Sequence, residues 1–341
     1  MREREWVDSH KDGMRLLSEV ARLYYIEDLS QEQIARRVGG SRSNVSRMLK
    51  EARSRGLVEI RVHTELDTLP RLQEELRSRT GLRECLVLAN VDLESRASKP
   101  ADSRAAMAAF AARYLQENIA DGSILGVGWS RTIYRSVNSG YLKNKSDVNV
   151  VQLMGSVGSS IPELNGISIA ARLADVLGAN AHYLPAPMLV ADAAVRSGLL
   201  RDRNIRETLD VAQRADAMVV GVGEIGRDHG QYLTGYLDDG DLDYIQRSGA
   251  VGDVCGSYFS KDGSLIPLEM NERTVAIGFE GMRRIPIRIG VSWGAQKALA
   301  NIGAARSRLL NVLITDENAT REMLNILDGE SLSSQPKENS A

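Results

Sequence analysis

The sequence is poor in the residues that build disulfide frameworks and metal sites. Its 341 residues include only two cysteines, Cys85 and Cys255, and four histidines. The cysteines are far apart and sit in apolar surroundings, which indicates core residues of a reduced, cytosolic protein rather than a disulfide pair. The histidines show no metal-ligand spacing. We therefore expect neither a metal site nor a cofactor.

Long apolar runs are also missing. A typical apolar run, "AMVVGVG" at 217–223, is far too short to cross a bilayer. The N-terminal segment is charged and lacks an apolar core, so no secretory signal is visible. With 43% hydrophobic and 26% charged residues, the composition is that of an ordinary globular protein. These features predict a cytoplasmic protein with no membrane partner, long enough for two domains.

Charge is almost balanced overall but unevenly distributed. The net charge is −2, yet residues 1–63 carry +3 and the remainder carries −5. Residues 36–61 hold eight lysines and arginines against two acidic residues. This asymmetry indicates a small anion-binding module attached to a larger body that is not basic. A solvated helix face is the plainer alternative explanation.

The N-terminal pattern predicts three short helices. Residues 14–26 place apolar side chains on one helical face. Ser30 and Gln33 then form a capping-box pattern at the start of a second helix. That helix must end at Gly39, because glycine tolerates the left-handed backbone of a helix C-terminus. Ser41 can cap the third helix, which is followed by the strand-like alternation "LVEIRV".

Two short helices joined by a tight glycine turn predict a helix-turn-helix of winged-helix type. Its second helix enters the major groove of double-stranded operator DNA, where arginine can read guanine and asparagine can read adenine. Serine and lysine side chains suit phosphates. A helical hairpin with no DNA role is the alternative. The predicted DNA-binding residues, all on the third helix or its cap, are Ser41, Arg42, Ser43, Asn44, Ser46, Arg47 and Lys50.

Residues 66–80 read as a linker helix. Leu69, Leu72 and Leu76 recur at helical spacing, and Pro70 fits a first helical turn. The apolar stripe could form a dimer contact or pack against the body of its own chain. The sequence leaves both alternatives open.

From residue 84 onward, apolar strands alternate with amphipathic helices. This alternation predicts an α/β fold, a doubly wound Rossmann-like domain whose parallel sheet is covered on both faces. Ligands of such folds bind at the carboxyl ends of the strands. The segment "TVAIGF" reads as one of the later strands. The predicted boundaries are 1–63 for the DNA-binding domain, 64–82 for the linker helix, 83–328 for the effector domain and 329–341 for a disordered polar tail.

Three predicted strand ends are rich in glycine together with hydroxyl or charged groups. They are "GVGWSRT", "GVGEIG" and "GVSWGAQK". Glycines let backbone N–H groups approach an anion, although tight packing explains a GxG equally well. The first segment is neither a Walker loop nor a GxGxxG fingerprint, because it lacks GK[ST] and has Arg131 at the third glycine position. Lys297, expected about one turn into a helix, could meet a phosphate or simply be solvated.

The chain resembles the SorC family of bacterial transcriptional regulators, over about residues 15–328. The segments that carry the resemblance are "LSQEQIARRVGGSRSNVSRMLKEARSRGLVEIRV", "GVGWSRT", "SGAVGDVCGSYFSKDG" and "LLNVLITDENATREML". The resemblance implies an N-terminal helix-turn-helix and an effector domain related to sugar-phosphate isomerases. It also implies a response to a sugar, polyol or sugar phosphate, and a homo-oligomer, a dimer or a tetramer built from dimers.

The resemblance also implies a set of effector-binding residues. The GxGxS/T loop of the family holds the effector's phosphate, and amide and charged groups of later segments face the ligand. Carried over to this sequence, the set is Gly126, Gly128, Ser130, Thr132, Asn165, Asp253, Glu269 and Lys297. Two departures from the family pattern, Trp293 in "SWG" and the segment "GSVGSS" at 155–160, could narrow the pocket or favour an unphosphorylated polyol.

Three functions remain open at this point. The leading hypothesis is a DNA-binding regulator of a carbohydrate or polyol operon, with no catalytic residues. The alternative is a sugar-phosphate isomerase-like enzyme, with Asp253 or Glu269 as general base and Lys297 as phosphate anchor. Fold alone does not separate them, but an isomerase does not need the basic N-terminal module. A purely structural oligomer is disfavoured by the charge asymmetry.

Overall fold

A computed structural model describes residues 2–58, 66–90, 100–158 and 161–333. The chain divides into two compact units, Met1–Thr64 and Glu65–Ala341. Within the described ranges, no helix combines the length and the apolar character that a membrane span requires.

The N-terminal unit contains three helices, α1 (Arg2–Tyr25), α2 (Gln31–Val38) and α3 (Arg42–Ser54). Their apolar faces meet in one core, as the spacing of the apolar residues predicts. Its fully or almost fully buried members include Val20, Leu23, Ile34, Val45 and Leu49. Because α2 and α3 are each too short to be stable alone, this shared core holds them together.

The two ends of α2 and the start of α3 have the predicted capping residues. The Ser30 hydroxyl accepts from the Gln33 backbone N–H at 3.3 Å, and the Gln33 side chain accepts from the Ser30 N–H at 2.8 Å, which confirms the capping box. Gly39 ends α2 with φ of 73°, and the Ser41 hydroxyl caps α3 by accepting from Asn44 N–H. Most of the predicted strand "LVEIRV" lies outside the described residues.

The C-terminal unit is an α/β domain. Its strands are β1 (Glu84–Leu88), β2 (Ile124–Val127), β3 (Asn149–Gln152), β4 (Asn180–His182), β5 (Ala217–Gly221), β6 (Gly223–Glu224), β7 (Ala250–Val254), β8 (Ser257–Ser260), β9 (Ile287–Val291) and β10 (Val312–Asp316). Its helices are α4 (Pro70–Thr80), α5 (Pro100–Asn118), α6 (Arg131–Val137), α7 (Gly166–Leu177), α8 (Ala193–Leu199), α9 (Arg203–Gln213), α10 (Gly230–Leu233), α11 (Asp239–Arg247), α12 (Glu269–Arg273), α13 (Phe279–Arg284), α14 (Ala298–Arg306) and α15 (Glu317–Ser333).

In the described chain, seven of these strands form one parallel sheet in the order β1-β10-β9-β5-β2-β3-β4. Successive residues of a strand point to opposite faces of the sheet and enter different cores. Val219 of β5 joins the cluster under α5, α6 and α7, whereas Val220 joins the cluster under α14 and α15. The sheet is therefore buried on both faces, as the near-continuous apolar strands predict.

The strand order reverses at β2. From β2 the chain moves through β3 to β4 on one side, whereas β5, which pairs with the other edge of β2, leads toward β9 and β10. Segments leaving the carboxyl ends of β2 and β5 must diverge to opposite faces of the sheet, which opens a crevice between them. This switch point fixes where a ligand can bind.

Two late segments differ from the sequence-based prediction. "TVAIGF" does not form a strand of the sheet, since Thr274 and Ala276 make only isolated bridges to Leu189 and Met154. Instead, β7 and β8 form an antiparallel hairpin that pairs with β6 in a separate small sheet. A tight turn, with Cys255 at φ of 50° and Gly256 at 75°, makes this hairpin possible.

Helices lie at both ends of the described C-terminal unit. The linker helix α4 packs on its own domain, against β1 and α15, with Leu76 fully buried. The helix α15 continues to Ser333, five residues into the segment predicted to be a disordered tail. Hydrogen bonds from Arg306 and Lys261 anchor Glu330 near its end and lower the pKa of that carboxyl to about 2. Residues 334–341 lie outside the described chain.

Candidate functional site

A cavity of about 270 Å³ lies at the switch point, at the carboxyl ends of β2, β5 and β9. The segment Gly128–Thr132 after β2 forms one wall, and Gly221–Glu224 after β5 forms the facing wall. Asp253 and Cys255 of the β7–β8 hairpin and Lys297 after β9 complete it. The predicted location at strand ends agrees with this arrangement.

Glycines bring the walls close together. A Cβ at Gly128 would lie 3.1 Å from the Cys255 Sγ, and one at Gly221 would lie 2.6 Å from the Ser130 Cβ. A Cβ at Gly223 would lie only 1.9 Å from Asp253 Oδ1. A side chain at Gly221 or Gly223 would therefore clash, and one at Gly128 would have to displace its neighbours slightly. The Ser130 hydroxyl caps α6 by accepting from Ile133 N–H at 3.1 Å.

A buried hydrogen bond joins His229 to Asp253 beside the cavity. His229 Nε2 lies 2.8 Å from Asp253 Oδ1, and the Gly256 N–H donates to Asp253 Oδ2 at 2.8 Å. Burial alone would raise the pKa of Asp253, but attraction to His229 and these hydrogen bonds outweigh it and lower the pKa below 3.8. Asp253 is therefore an ionised acceptor at neutral pH.

Asp253→Asn should destabilise the protein by about 1.5–3 kcal/mol at neutral pH, because hydrogen bonds to a charged group are lost. A lowered pKa stabilises the folded state above the ordinary pKa, and this contribution is lost as pH falls through the folded-state value. The stability difference from wild type should thus be full near pH 7 and shrink below about pH 3.8. Urea unfolding across pH measures it, with the exposed Asp210→Asn as control. A difference that stays constant with pH would contradict this account.

Lys297 lies in the cavity rather than in solvent. It ends a short 3₁₀ turn, Ala295–Lys297, and precedes α14, so it is not one turn into an α-helix as predicted. Its side chain is 18% exposed, and its Nζ lies 3.8 Å from Glu224 Oε2. Burial lowers the pKa of Lys297, and the nearby Glu224 and Asp253 carboxylates oppose that shift. A buried ammonium with a long ion-pair distance is well placed to bind an additional anion.

Three arginines add positive charge to the lining, Arg104, Arg131 and Arg135. Arg135 pairs with Glu163 at 3.4 Å. Within the described residues, neither Arg104 nor Arg131 pairs with a carboxylate: Arg104 stacks over the Trp293 ring at 5.5 Å, and Arg131 donates to a backbone carbonyl. Two guanidinium groups without a carboxylate partner favour an anionic ligand.

The structure does not bring every predicted effector residue to the cavity. Gly126 lies within β2, where a Cβ would be 2.6 Å from Leu153, so its role is packing. Asn165 caps α7 by accepting from Ser168 N–H. Glu269 begins α12, is 75% exposed on its side chain and faces Arg273 at 3.7 Å. The predicted residues that do line the cavity are Gly128, Ser130, Thr132, Asp253 and Lys297.

Several residues that line the cavity were not predicted from the sequence. Trp129 and Glu224 stood inside the glycine-rich segments, but no local pattern marked their side chains. His229 was considered only as a metal ligand, and the described residues contain no cluster that could hold a metal. Its partner Asp253 is 24 residues away, so only the fold reveals the pair.

The candidate nucleic-acid interface lies on the N-terminal unit. Arg42, Ser43, Ser46, Arg47 and Lys50 line a shallow groove on α3, together with Gln31 at the start of α2, which the sequence did not single out. Arg42 pairs with Glu32 at 3.0 Å, and Asn44 accepts from Arg47 at 2.7 Å. These pairs are exposed and therefore contribute little to stability. Ser41 serves as the α3 cap.

Comparisons with known proteins identify the chain. Residues 65–325 match the family described as "Putative sugar-binding domain", and residues 14–75 match a "Crp-like helix-turn-helix domain". The crystal structure of the full-length sorbitol operon regulator SorC from Klebsiella pneumoniae superposes with a TM-score of 0.68 at 26% identity, covering 92% of this chain and 99% of that one. The chain belongs to the SorC family of transcriptional regulators.

Curated relatives of this SorC-family chain match over most of their length. The deoxyribonucleoside regulator of Bacillus subtilis is 29% identical over 317 residues, 93% of this chain and 99% of the relative. The transcriptional regulator LsrR of an Enterobacter species is 29% identical over 314 residues, 91% and 92% respectively. The helix-turn-helix family model and the SorC crystal structure confirm the predicted fold class, a helix-turn-helix followed by a large α/β domain.

Proposed function

We propose that this SorC-family regulator binds operator DNA through α3 and adjusts its DNA affinity when a phosphorylated sugar or polyol occupies the cavity. The observation that carries the proposal is the cavity itself, where Lys297, Arg104 and Arg131 face hydroxyl- and glycine-rich strand ends at the switch point of the sheet. The relatives named for deoxyribonucleoside and sorbitol regulation support a carbohydrate-type effector.

Gly128, Ser130 and Thr132 suit the phosphate end of such a ligand. Gly128 has no side chain, so a ligand can reach its backbone where the two cavity walls come close together. The Ser130 and Thr132 hydroxyls can donate hydrogen bonds to phosphate oxygens. Lys297 supplies a mobile point charge from the other side of the cavity. Asp253 acts mainly by holding His229 in position.

A thermal-shift screen of sugars, polyols and their phosphates tests the effector assignment. A ligand that binds only the folded protein raises its apparent stability, by about 2.7 kcal/mol when its concentration is about 100 times Kd. Sugar phosphates should stabilise the protein more than the parent sugars. A screen in which no carbohydrate stabilises the protein would overturn the proposal.

The cavity is proposed to bind its ligand without converting it. An isomerase needs a general base within reach of a substrate proton, and the predicted base Glu269 lies outside the cavity lining. Both carboxylate oxygens of the second predicted base, Asp253, are already hydrogen-bonded, Oδ1 with His229 Nε2 and Oδ2 with the Gly256 N–H. Turnover of ribose 5-phosphate or glucosamine 6-phosphate would contradict this proposal.

The DNA-binding face predicts different effects for two basic residues. Arg42→Ala should cost about 1–3 kcal/mol at the preferred sequence and relax its selection, because arginine can read a base edge. Lys50→Ala should weaken binding to all sequences alike and reduce the salt slope by about 1, because lysine contacts phosphate. Fluorescence anisotropy on duplexes selected from a random library measures both.

Lys143→Ala, an equal loss of charge on the C-terminal unit, is the control for that experiment. If Lys143→Ala weakens DNA binding as much as Lys50→Ala, the assignment of the α3 face is wrong.

One recognition helix reads only a few base pairs, so we also propose that the protein binds two-fold-related half-sites as a homo-oligomer, at least a dimer. Sedimentation equilibrium measures that state.

A further inference from the structure

Unpaired polar atoms gather at the cavity. Six buried side-chain nitrogen and oxygen atoms of the described residues have no hydrogen-bond partner, and three of them belong to cavity-lining residues. These three are Trp129 Nε1, Glu224 Oε2 and His229 Nδ1. Buried polar groups are almost always paired in folded proteins, and leaving one unpaired is unfavourable. Three such atoms beside one cavity are placed where a bound molecule could supply their partners.

The chemistry of each atom follows from its surroundings. Asp253 is an ionised carboxylate and can only accept, so His229 must donate to it through Nε2. In the neutral imidazole the other nitrogen, Nδ1, is then an acceptor. Glu224 Oε2 is also an acceptor, with Lys297 Nζ 3.8 Å away. Trp129 Nε1 can only donate. With His229 neutral, the cluster therefore offers two acceptors and one donor.

Hydroxyl groups fit this set and phosphate does not. A hydroxyl donates one hydrogen bond and accepts others, so neighbouring hydroxyls of one carbon chain can satisfy both acceptors and the donor. A phosphate dianion has no proton to donate and would leave both acceptors unpaired. An ammonium group would lie beside Lys297 and could not accept from Trp129.

We propose that His229, Glu224 and Trp129 form a hydroxyl-recognition subsite in which His229 Nδ1 accepts a hydrogen bond from an effector hydroxyl. The subsite selects the polyol portion of the effector, whereas the basic groups and the Gly128–Thr132 segment select its anionic end. This inference rests on the proposed function and extends it by assigning specificity to His229, a residue whose other nitrogen holds Asp253.

Two substitutions at the subsite each remove one polar atom. In His229→Gln the amide nitrogen can still donate to Asp253, but nothing replaces Nδ1. Trp129→Phe removes the N–H donor, together with the distal ring atoms that lie beside Gly230. The matched control is His182→Gln on β4, where the amide can keep the hydrogen bond to Asn149 and the cavity is not touched.

Calorimetric titration compares two ligands, ribose 5-phosphate and pentyl phosphate, which share the phosphate but differ in their hydroxyls. Wild type and His182→Gln should prefer ribose 5-phosphate. His229→Gln and Trp129→Phe should each weaken ribose 5-phosphate binding about three- to tenfold, because one hydrogen bond is lost. Neither variant should change the affinity for pentyl phosphate.

Failure of the proposed function and failure of the hydroxyl-recognition inference give different results in this experiment. If wild type binds neither ligand, nor sorbitol 6-phosphate as a longer chain, both the proposed function and this inference are overturned. If wild type binds ribose 5-phosphate and both subsite variants bind it equally well, only the inference is wrong. If both variants lose pentyl phosphate as strongly as ribose 5-phosphate, the residues bind the anion or support the fold, and the hydroxyl-recognition role is overturned.

Discussion

Lys297→Met should weaken binding of a sugar phosphate by about one to two orders of magnitude while the fold is retained. The Lys297 side chain is mostly buried in the cavity, and its ammonium makes only a long contact to Glu224. A bound phosphate would therefore gain a charge-assisted hydrogen bond, a contribution of about 1.5–3 kcal/mol. Methionine keeps the length of the side chain and removes only its charge.

Calorimetry on a matched pair, a polyol and its phosphate, separates this role from simple space filling. The phosphate should lose affinity in Lys297→Met, whereas the free polyol should lose little. Lys143→Met, at an exposed site outside the cavity, should affect neither ligand. Equal affinity of the wild type for both members of the pair would refute the phosphate-anchor role of Lys297.

Val45→Asp should abolish DNA binding by unfolding the N-terminal unit. Val45 of α3 is fully buried in the apolar core that α1, α2 and α3 share. A carboxylate there is uncompensated and should cost more than about 4 kcal/mol, much of the stability of so small a unit. Circular dichroism should show helix loss, and anisotropy should show no binding to operator or random DNA.

The effector response should survive Val45→Asp. The cavity is built on the core of the C-terminal unit, whose members all lie outside Met1–Thr64. Stabilisation of the variant by a sugar phosphate should equal that of the wild type, and Val45→Ala should give an intermediate loss of DNA affinity. Simultaneous loss of effector binding would mean that the two units fold as one.

The α2–α3 region of the N-terminal unit could be predicted because its signals are local, whereas α1 begins at Arg2 and is longer than the predicted 14–26. The Ser30 and Gln33 capping box, the left-handed Gly39 and the Ser41 cap each depend on residues at most five apart in the sequence. The parallel sheet was also predictable, since most of its strands are near-continuous apolar runs. The β7–β8 hairpin was missed because its turn requires a left-handed Cys255, which residue preferences disfavour.

The candidate site could be predicted only in part. Gly126 and Gly128 look equivalent in the GxG pattern, yet only Gly128 lies beyond the strand end and reaches the cavity. Glu269 matches an acidic position in the sequence but begins a short surface helix. His229 and Asp253 meet because separate elements converge there, and neither spacing nor composition encodes that convergence.

The placement of tryptophan gives the protein an internal optical reporter. The chain has three tryptophans; Trp129 and Trp293 line the cavity, and Trp6 lies in α1 of the other unit. Indole emission depends on the polarity and charge around the ring, and Trp293 already has the Arg104 guanidinium over its face. In a Trp6→Phe background, tryptophan fluorescence therefore arises only from the cavity, so effector occupancy can be followed without a label, even while the protein is bound to DNA.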